Sequence, residues 1–164
     1  MKVTRSDIVS AIAVLILVAA LPGAVRDTIE TGRLYLFSRQ FFEELPQRFT
    51  GPGRLRFILQ PSIAILIGLR GGLADARAGR QPYIYGLLLG GGNRGELVRS
   101  GWAAVRDLVA MGIVLDAVAQ LLIYRQVHPG AALVIGPVLI GMPYAVARAL
   151  SNRAARFLRR GSGK

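Results

Sequence analysis

Three apolar runs of membrane-spanning length set the fold class of this chain. They cover residues 8–25, 107–124 and 131–147, and each contains 17 or 18 residues. A helix rises about 1.5 Å per residue, so each run covers about 26 Å, close to the roughly 30 Å of a hydrocarbon core. The sequence therefore predicts an all-α integral membrane protein that forms a single membrane domain over residues 1–164.

A fourth apolar run, residues 57–69, is harder to assign. It has 13 residues and contains Gln60-Pro61, and this length is short for a membrane span. We expect a short re-entrant, interfacial or kinked helix that does not cross the membrane. The preceding residues, 26–56, mix arginines with aromatic side chains, as amphipathic interfacial helices do.

The first apolar run has signals at both of its ends. Lys2 and Arg5 precede it, which is typical of a signal peptide as well as of an anchor, and we expect a retained anchor. Pro22-Gly23 near its exit predicts that the helix ends or kinks there, because proline interrupts helical hydrogen bonding.

Basic residues indicate the orientation, because cytoplasmic loops of membrane proteins carry an excess of Lys and Arg. With three spans the 21 basic residues divide 18 to 3 between the two sides, and a fourth span at 57–69 makes the division 14 to 7. Three spans therefore fit better. Both arrangements place the C-terminus in the cytoplasm and the turn at 125–130 outside. We expect the bacterial inner membrane.

One carboxylate interrupts the second run. Asp116 lies near the middle of this run, where insertion of an aspartate costs roughly 2.5–3.5 kcal/mol. On a helix it shares a polar stripe with Arg106, Gln120 and Tyr124. The other two clear spans supply no cation at this depth, so we expect Asp116 to stay protonated and to bond across a helix interface. The alternative is a proton or ion relay, which usually needs several ionisable groups in series.

The residues after the third run carry a cluster of positive charge. On a helix, five arginines fall within an arc of about 140°: Arg148, Arg153, Arg156, Arg159 and Arg160. The net charge of +12 favours a polyanionic partner, and the apolar runs favour anionic lipid over nucleic acid. We predict that this basic tail contacts anionic lipid headgroups. The alternative is general positive-inside anchoring.

Glycine patterns give two weak motifs. Residues 90–95, GGGNRG, match G-x-G-x-x-G, but a dinucleotide site needs a preceding strand, so a flexible loop is the better interpretation. Gly68 and Gly72, like Gly86 and Gly90, match GxxxG, which indicates close helix packing only inside a true span.

Reactive groups are scarce in this chain. It has no cysteine and a single histidine, His128, which excludes disulfides, thiolate metal sites, iron–sulfur clusters and a haem with two histidine ligands. We expect His128 to be an ordinary loop histidine. We also expect no metal, no cofactor and no enzymatic activity, because no catalytic constellation is apparent.

These observations lead to one function hypothesis and one main alternative. The first is a small integral membrane protein that acts through helix–helix and lipid contacts, as an accessory or scaffold subunit of a larger complex or as a homo-oligomer. The alternative is a small oligomeric channel or proton-coupled transporter lined by Asp116, Gln120 and Tyr124. A membrane enzyme acting on lipid comes third, because only the arginine-rich loops support it.

Overall fold

The chain is helical throughout the part that the structure, a computed structural model, describes. The described residues are 4–89 and 94–161, with side chains up to Arg159. Helix accounts for 85% and there are no strands, which confirms the all-α prediction for these residues. The helices are α1 Arg5–Thr31, α2 Arg39–Thr50, α3 Arg56–Arg77, α4 Tyr83–Leu88, α5 Arg94–Tyr124 and α6 Pro129–Gly161.

Four of these helices, α1, α3, α5 and α6, are long and apolar enough to cross a membrane. The three clear runs of the sequence lie inside α1, α5 and α6. The fourth helix, α3, has 22 residues, so the expectation of a short helix at residues 57–69 is wrong. The apolar run stops at Arg70, but the helix continues to Arg77, because α3 packs closely against α6 at Gly68 and Gly72.

Local signals define both ends of α1. Thr4 and Asp7 form a capping box, in which the Thr4 backbone N–H donates to the Asp7 carboxylate at 3.0 Å. The helix runs through Pro22 and ends at Gly32, whose φ of 66° suits glycine. Of the two outcomes predicted at Pro22-Gly23, an end of the helix is wrong, and a kink stays a prediction. Proline removes one backbone hydrogen bond from the helix. In an apolar surrounding, ending the helix would leave several backbone N–H and C=O groups unpaired, which costs more free energy than the one lost bond.

The chain divides into two compact units. The first consists of Met1–Leu59 and Asp107–Val138, and the second of Gln60–Arg106 and Leu139–Lys164. Helices α3, α5 and α6 each contribute one segment to each unit. The apolar core of the first unit is small, with Tyr35, Phe41 and Ala131 at its centre.

In the second unit, α3 and α6 pack closely at two glycines. A Cβ built on Gly68 would lie 2.5 Å from the Tyr144 carbonyl oxygen, and one built on Gly72 would overlap Ser151 Oγ and the Arg148 carbonyl. Only a glycine allows the two backbones to approach this closely. The GxxxG pattern at Gly68 and Gly72 is therefore a packing face. Gly90 and Gly92 of the two remaining glycine motifs lie outside the described residues.

We expect Gly72→Ala to destabilise the protein by about 1–3 kcal/mol, because the added methyl group meets backbone that cannot move aside without separating α3 from α6. The measurement is the thermal unfolding midpoint in detergent. Gly71→Ala is the matched control, because the nearest neighbour of its Cβ would be Arg148 Cδ at 3.4 Å, an ordinary van der Waals contact. Equal unfolding midpoints for the two variants would contradict the close approach at Gly72.

Candidate functional site

Asp116 lies at the centre of a buried ionic cluster in the first unit. Its side chain is 1% exposed. Arg56 Nη2 donates to Oδ1 at 2.7 Å, Arg48 Nη1 lies 3.3 and 3.2 Å from the two carboxylate oxygens, and Gln120 Nε2 donates to Oδ2 at 2.7 Å. Two cations therefore meet Asp116. The expectation of an aspartate without a cation is wrong, because both arginines come from segments that the sequence analysis placed outside the clear spans.

This geometry is that of an ion pair. The carboxylate oxygens of Asp116 contact guanidinium groups from two different helices, Arg48 on α2 and Arg56 on α3. Asp116 also lies in the C-terminal half of α5. Because α5 begins at Arg94 and ends at Tyr124, Asp116 lies about 12 Å from the C-terminal end of a 31-residue helix.

Arg48 is held by aromatic and ionic groups at once. Its Nη2 donates to the Tyr35 hydroxyl oxygen at 2.9 Å, and its guanidinium carbon lies 5.5 Å from the centre of the Tyr124 ring. The Tyr35 hydroxyl in turn donates to the Glu44 carboxylate. Burial raises the pKa of Tyr35 far above its usual value, and the bond to Glu44 raises it further. Tyr35 therefore stays protonated and links Arg48 to Glu44.

His128 is packed into this cluster. It is 5% exposed, and its ring stacks on Tyr35 with 3.5 Å between the ring centres. Its backbone N–H donates to Gln120 Oε1 at 2.8 Å, and its Nε2 lies 3.7 Å from the Asp27 carboxylate. His128 lies in the loop between α5 and α6, as expected, but its side chain is buried. The turn that carries His128 folds back onto the side chains of the first unit.

The state of His128 makes stability depend on pH. Burial lowers the pKa of His128 below its usual value, although Asp27 opposes this. The unfolded chain then binds a proton at His128 more readily than the folded protein does. The stability of the protein therefore falls as the pH drops below the pKa of about 6.5 in the unfolded chain, and it stops falling once the pH is below the pKa in the folded protein. We expect a declining unfolding midpoint between pH 7 and pH 5, and a smaller decline in His128→Phe, which keeps a ring on Tyr35. An equal decline in both proteins would contradict this origin.

A second buried ion pair lies in the second unit. Arg148 on α6 donates to Asp75 on α3 through Nε at 2.6 Å and Nη2 at 3.1 Å. Its Nη1 donates to the Tyr144 hydroxyl oxygen at 2.7 Å, and its guanidinium carbon lies 4.4 Å from the centre of the Tyr83 ring. Arg148 is 5% exposed. The prediction that it contacts lipid headgroups is wrong, because Asp75 binds it inside the unit.

The other arginines of the tail have different surroundings. Arg153 and Arg159 are exposed, as headgroup contact requires. Arg156 donates to the backbone carbonyls of Gly79 and Arg80 and so ties the tail to the end of α3. The side chain of Arg160 lies outside the described residues.

Only some residues of the predicted polar stripe on α5 lie at the Asp116 cluster. Asp116 and Gln120 are buried in the cluster, and the Tyr124 hydroxyl donates to the Glu44 backbone carbonyl at 2.9 Å. Arg106 is exposed and belongs to the second unit. It is not a member of the Asp116 cluster.

The chain matches no protein-family model, no curated protein and no solved structure. Its function has to be argued from its own residues. The two ionic clusters are the strongest chemical features, and sequence reasoning found only one member of each pair. A signal for the first existed, because a buried aspartate needs a cation and residues 26–56 contain six arginines. Nothing in the sequence told Arg48 and Arg56 apart from the other four.

Proposed function

We propose that this is a small integral membrane protein that acts through helix–helix and lipid contacts, as an accessory or scaffold subunit or as a homo-oligomer. The main support is that the buried charges are paired within each unit. Asp116 binds Arg48 and Arg56, and Asp75 binds Arg148. Pairs of this kind hold helices in one arrangement, and a side chain so bound is not available to attack a substrate.

The surface of α1 also supports a role in contacts. Only 6% of its most apolar 18-residue window is buried, against 44% for α5. Large side chains such as Val14, Leu15 and Val18 are exposed along it. A helix with so much free apolar surface fits contact with lipid on some faces and with a helix of another subunit on the rest.

A cysteine scan of α1 tests the homo-oligomer. The chain has no cysteine of its own, so single cysteines at residues 8–25 form disulfide-linked dimers only between copies. An interface predicts cross-linking that recurs every three to four positions. A cysteine at Leu66, exposed on α3, is the control. Native mass spectrometry in mild detergent then separates a homo-oligomer from a hetero-complex, and a lone monomer without cross-links would contradict the proposal.

We further propose four spans, with the C-terminus in the cytoplasm of a bacterial inner membrane. The support comes from contacts in the first unit. His128, in the turn that the charge count places outside, stacks on Tyr35, and Tyr124 bonds to Glu44. Two segments in contact lie on one side of the membrane, and residues 32–55 share the side of that turn only if α3 crosses. This revises the earlier preference for three spans.

Labelling of single cysteines from outside intact cells tests this topology. We expect Thr50→Cys and Gln126→Cys to react with a membrane-impermeant reagent, and Gln81→Cys to react only after the cells are opened. The three positions lie between the long helices. Equal accessibility of positions 50 and 81 would restore the three-span arrangement.

A proton-coupled transporter or channel is a second candidate, and one observation favours it. A relay usually needs several ionisable groups in series, and the first unit places such groups in contact: Asp27, His128, Tyr35, Glu44, Arg48 and Asp116. Purified protein in vesicles with an internal pH-sensitive dye tests this. Proton flux that disappears in Tyr35→Phe, which keeps the ring stack and removes the linking hydroxyl, would favour the relay. Wild-type protein without flux would exclude it.

A further inference from the structure

An apolar groove lies between α4 and α6 in the second unit. Its volume is about 300 Å³. Apolar side chains make up its walls, among them Ile84, Leu88, Val146 and Leu150, and Tyr85 adds an aromatic ring. Among the described residues that line it, Arg153 is the charged one. The groove therefore combines an apolar channel with one cationic group.

The positive charge of Arg153 is not neutralised by the acid of the neighbouring helix. Asp75 on α3 binds Arg148 through both of its oxygens and also lies 3.4 Å from Arg80. Arg156, one turn beyond Arg153 on α6, is bound to the backbone carbonyls next to Pro82, which itself lines the groove. This part of the unit is therefore basic, and an anionic group is the complementary ligand.

We propose that this groove binds an anionic phospholipid, with one acyl chain against the leucines of α4 and α6 and the phosphate at Arg153. The proposal rests on the membrane location given under the proposed function. The walls match an acyl chain, because Leu88 and Leu150 are 68% and 60% exposed and such side chains favour apolar contact. An arginine guanidinium matches the phosphate oxygens, because it can donate two parallel hydrogen bonds.

Fluorescence quenching by brominated lipids tests the site directly. Trp102 is the only tryptophan, so Trp102→Phe with Tyr85→Trp places a single reporter in the groove. The protein is reconstituted in phosphatidylcholine with an increasing fraction of brominated phosphatidylglycerol. In a second series it is reconstituted in phosphatidylglycerol with an increasing fraction of brominated phosphatidylcholine. We expect an apparent preference of about fivefold for phosphatidylglycerol, since one basic residue near an anionic lipid surface contributes about that factor.

Two variants separate the groove from general membrane attraction. Arg153→Ala should abolish the preference, and Arg77→Ala, which removes an exposed arginine from α3 of the same unit, should leave it. Ala149→Leu fills the groove and should reduce quenching by both lipids at the reporter. If the reporter at residue 85 unfolds the protein, Leu88→Trp in the same background replaces it.

Each outcome has one meaning. Equal quenching by the two lipids would overturn the groove site and leave the membrane location intact. An equal loss of the preference for phosphatidylglycerol in Arg153→Ala and Arg77→Ala would have the same meaning. Absence of quenching by either lipid would contradict the membrane location on which the proposed function also depends.

Discussion

Asp116→Asn is expected to lower the free energy of unfolding by about 3–5 kcal/mol, because removing one member of a buried ion pair leaves its partners charged and unmatched. Here the partners are Arg48 and Arg56, both at most 5% exposed. Asparagine retains the hydrogen-bonding shape and removes the charge, so the variant isolates the electrostatic contribution. Thermal or denaturant unfolding in detergent measures the loss.

The control for this prediction lies on the same helix. Glu96→Gln changes an exposed glutamate of α5 and should leave the unfolding midpoint nearly unchanged. A combined variant, Arg48→Met with Arg56→Met and Asp116→Leu, should recover much of the stability, because a buried ionic group can often be replaced by apolar residues of similar volume. A stable Asp116→Asn protein would show that the cluster is hydrated or open, and would favour the relay candidate.

Arg148→Met is expected to have a comparable effect in the second unit. The substitution keeps most of the apolar stem and leaves Asp75 buried at 2% exposure without its two closest donors. The expected loss is again about 3–5 kcal/mol, and it will lie at the lower end if the exposed Arg80, 3.4 Å away, turns inward. The unfolding midpoint in detergent measures it.

Two further variants show whether Arg148 acts as a charge or as a planar donor. Arg148→Lys keeps the charge but loses the paired hydrogen bonds and the stacking on Tyr83, so an intermediate loss is expected. Arg77→Met removes an exposed arginine of α3 and should change little. If Arg148→Met were as stable as Arg77→Met, Arg148 would be available for headgroup contact, as the sequence had first indicated.

The long helices are the part of the structure that the sequence predicts best. The apolar runs inside α1, α5 and α6 are visible because lipid demands about 20 consecutive apolar residues, which is a local property of the chain. Helix α3 is longer than its apolar run of 13 residues indicated. Its apolar run ends at Arg70, and the packing of Gly68 and Gly72 against α6 explains why the helix continues to Arg77.

The two ionic clusters show a different kind of failure. The helical stripe correctly grouped Asp116, Gln120 and Tyr124, because residues on one face of one helix follow from spacing alone. Their partners Arg48 and Arg56 are 68 and 60 residues away in the chain. Spacing carries no information about such distant pairs.

The amino-acid sequence by itself determined the class of this protein: apolar segments of sufficient length, a basic balance and no thiol chemistry follow from composition and order. Only the tertiary structure decided which charged side chains are buried in ion pairs. Arg148 and Arg153 belong to the same predicted cluster of tail arginines, yet one is buried against Asp75 and the other lies exposed at a groove. The physical reason is that burial and charge pairing depend on which helices meet, and several arginines of one sequence could satisfy the same aspartate until packing selects one.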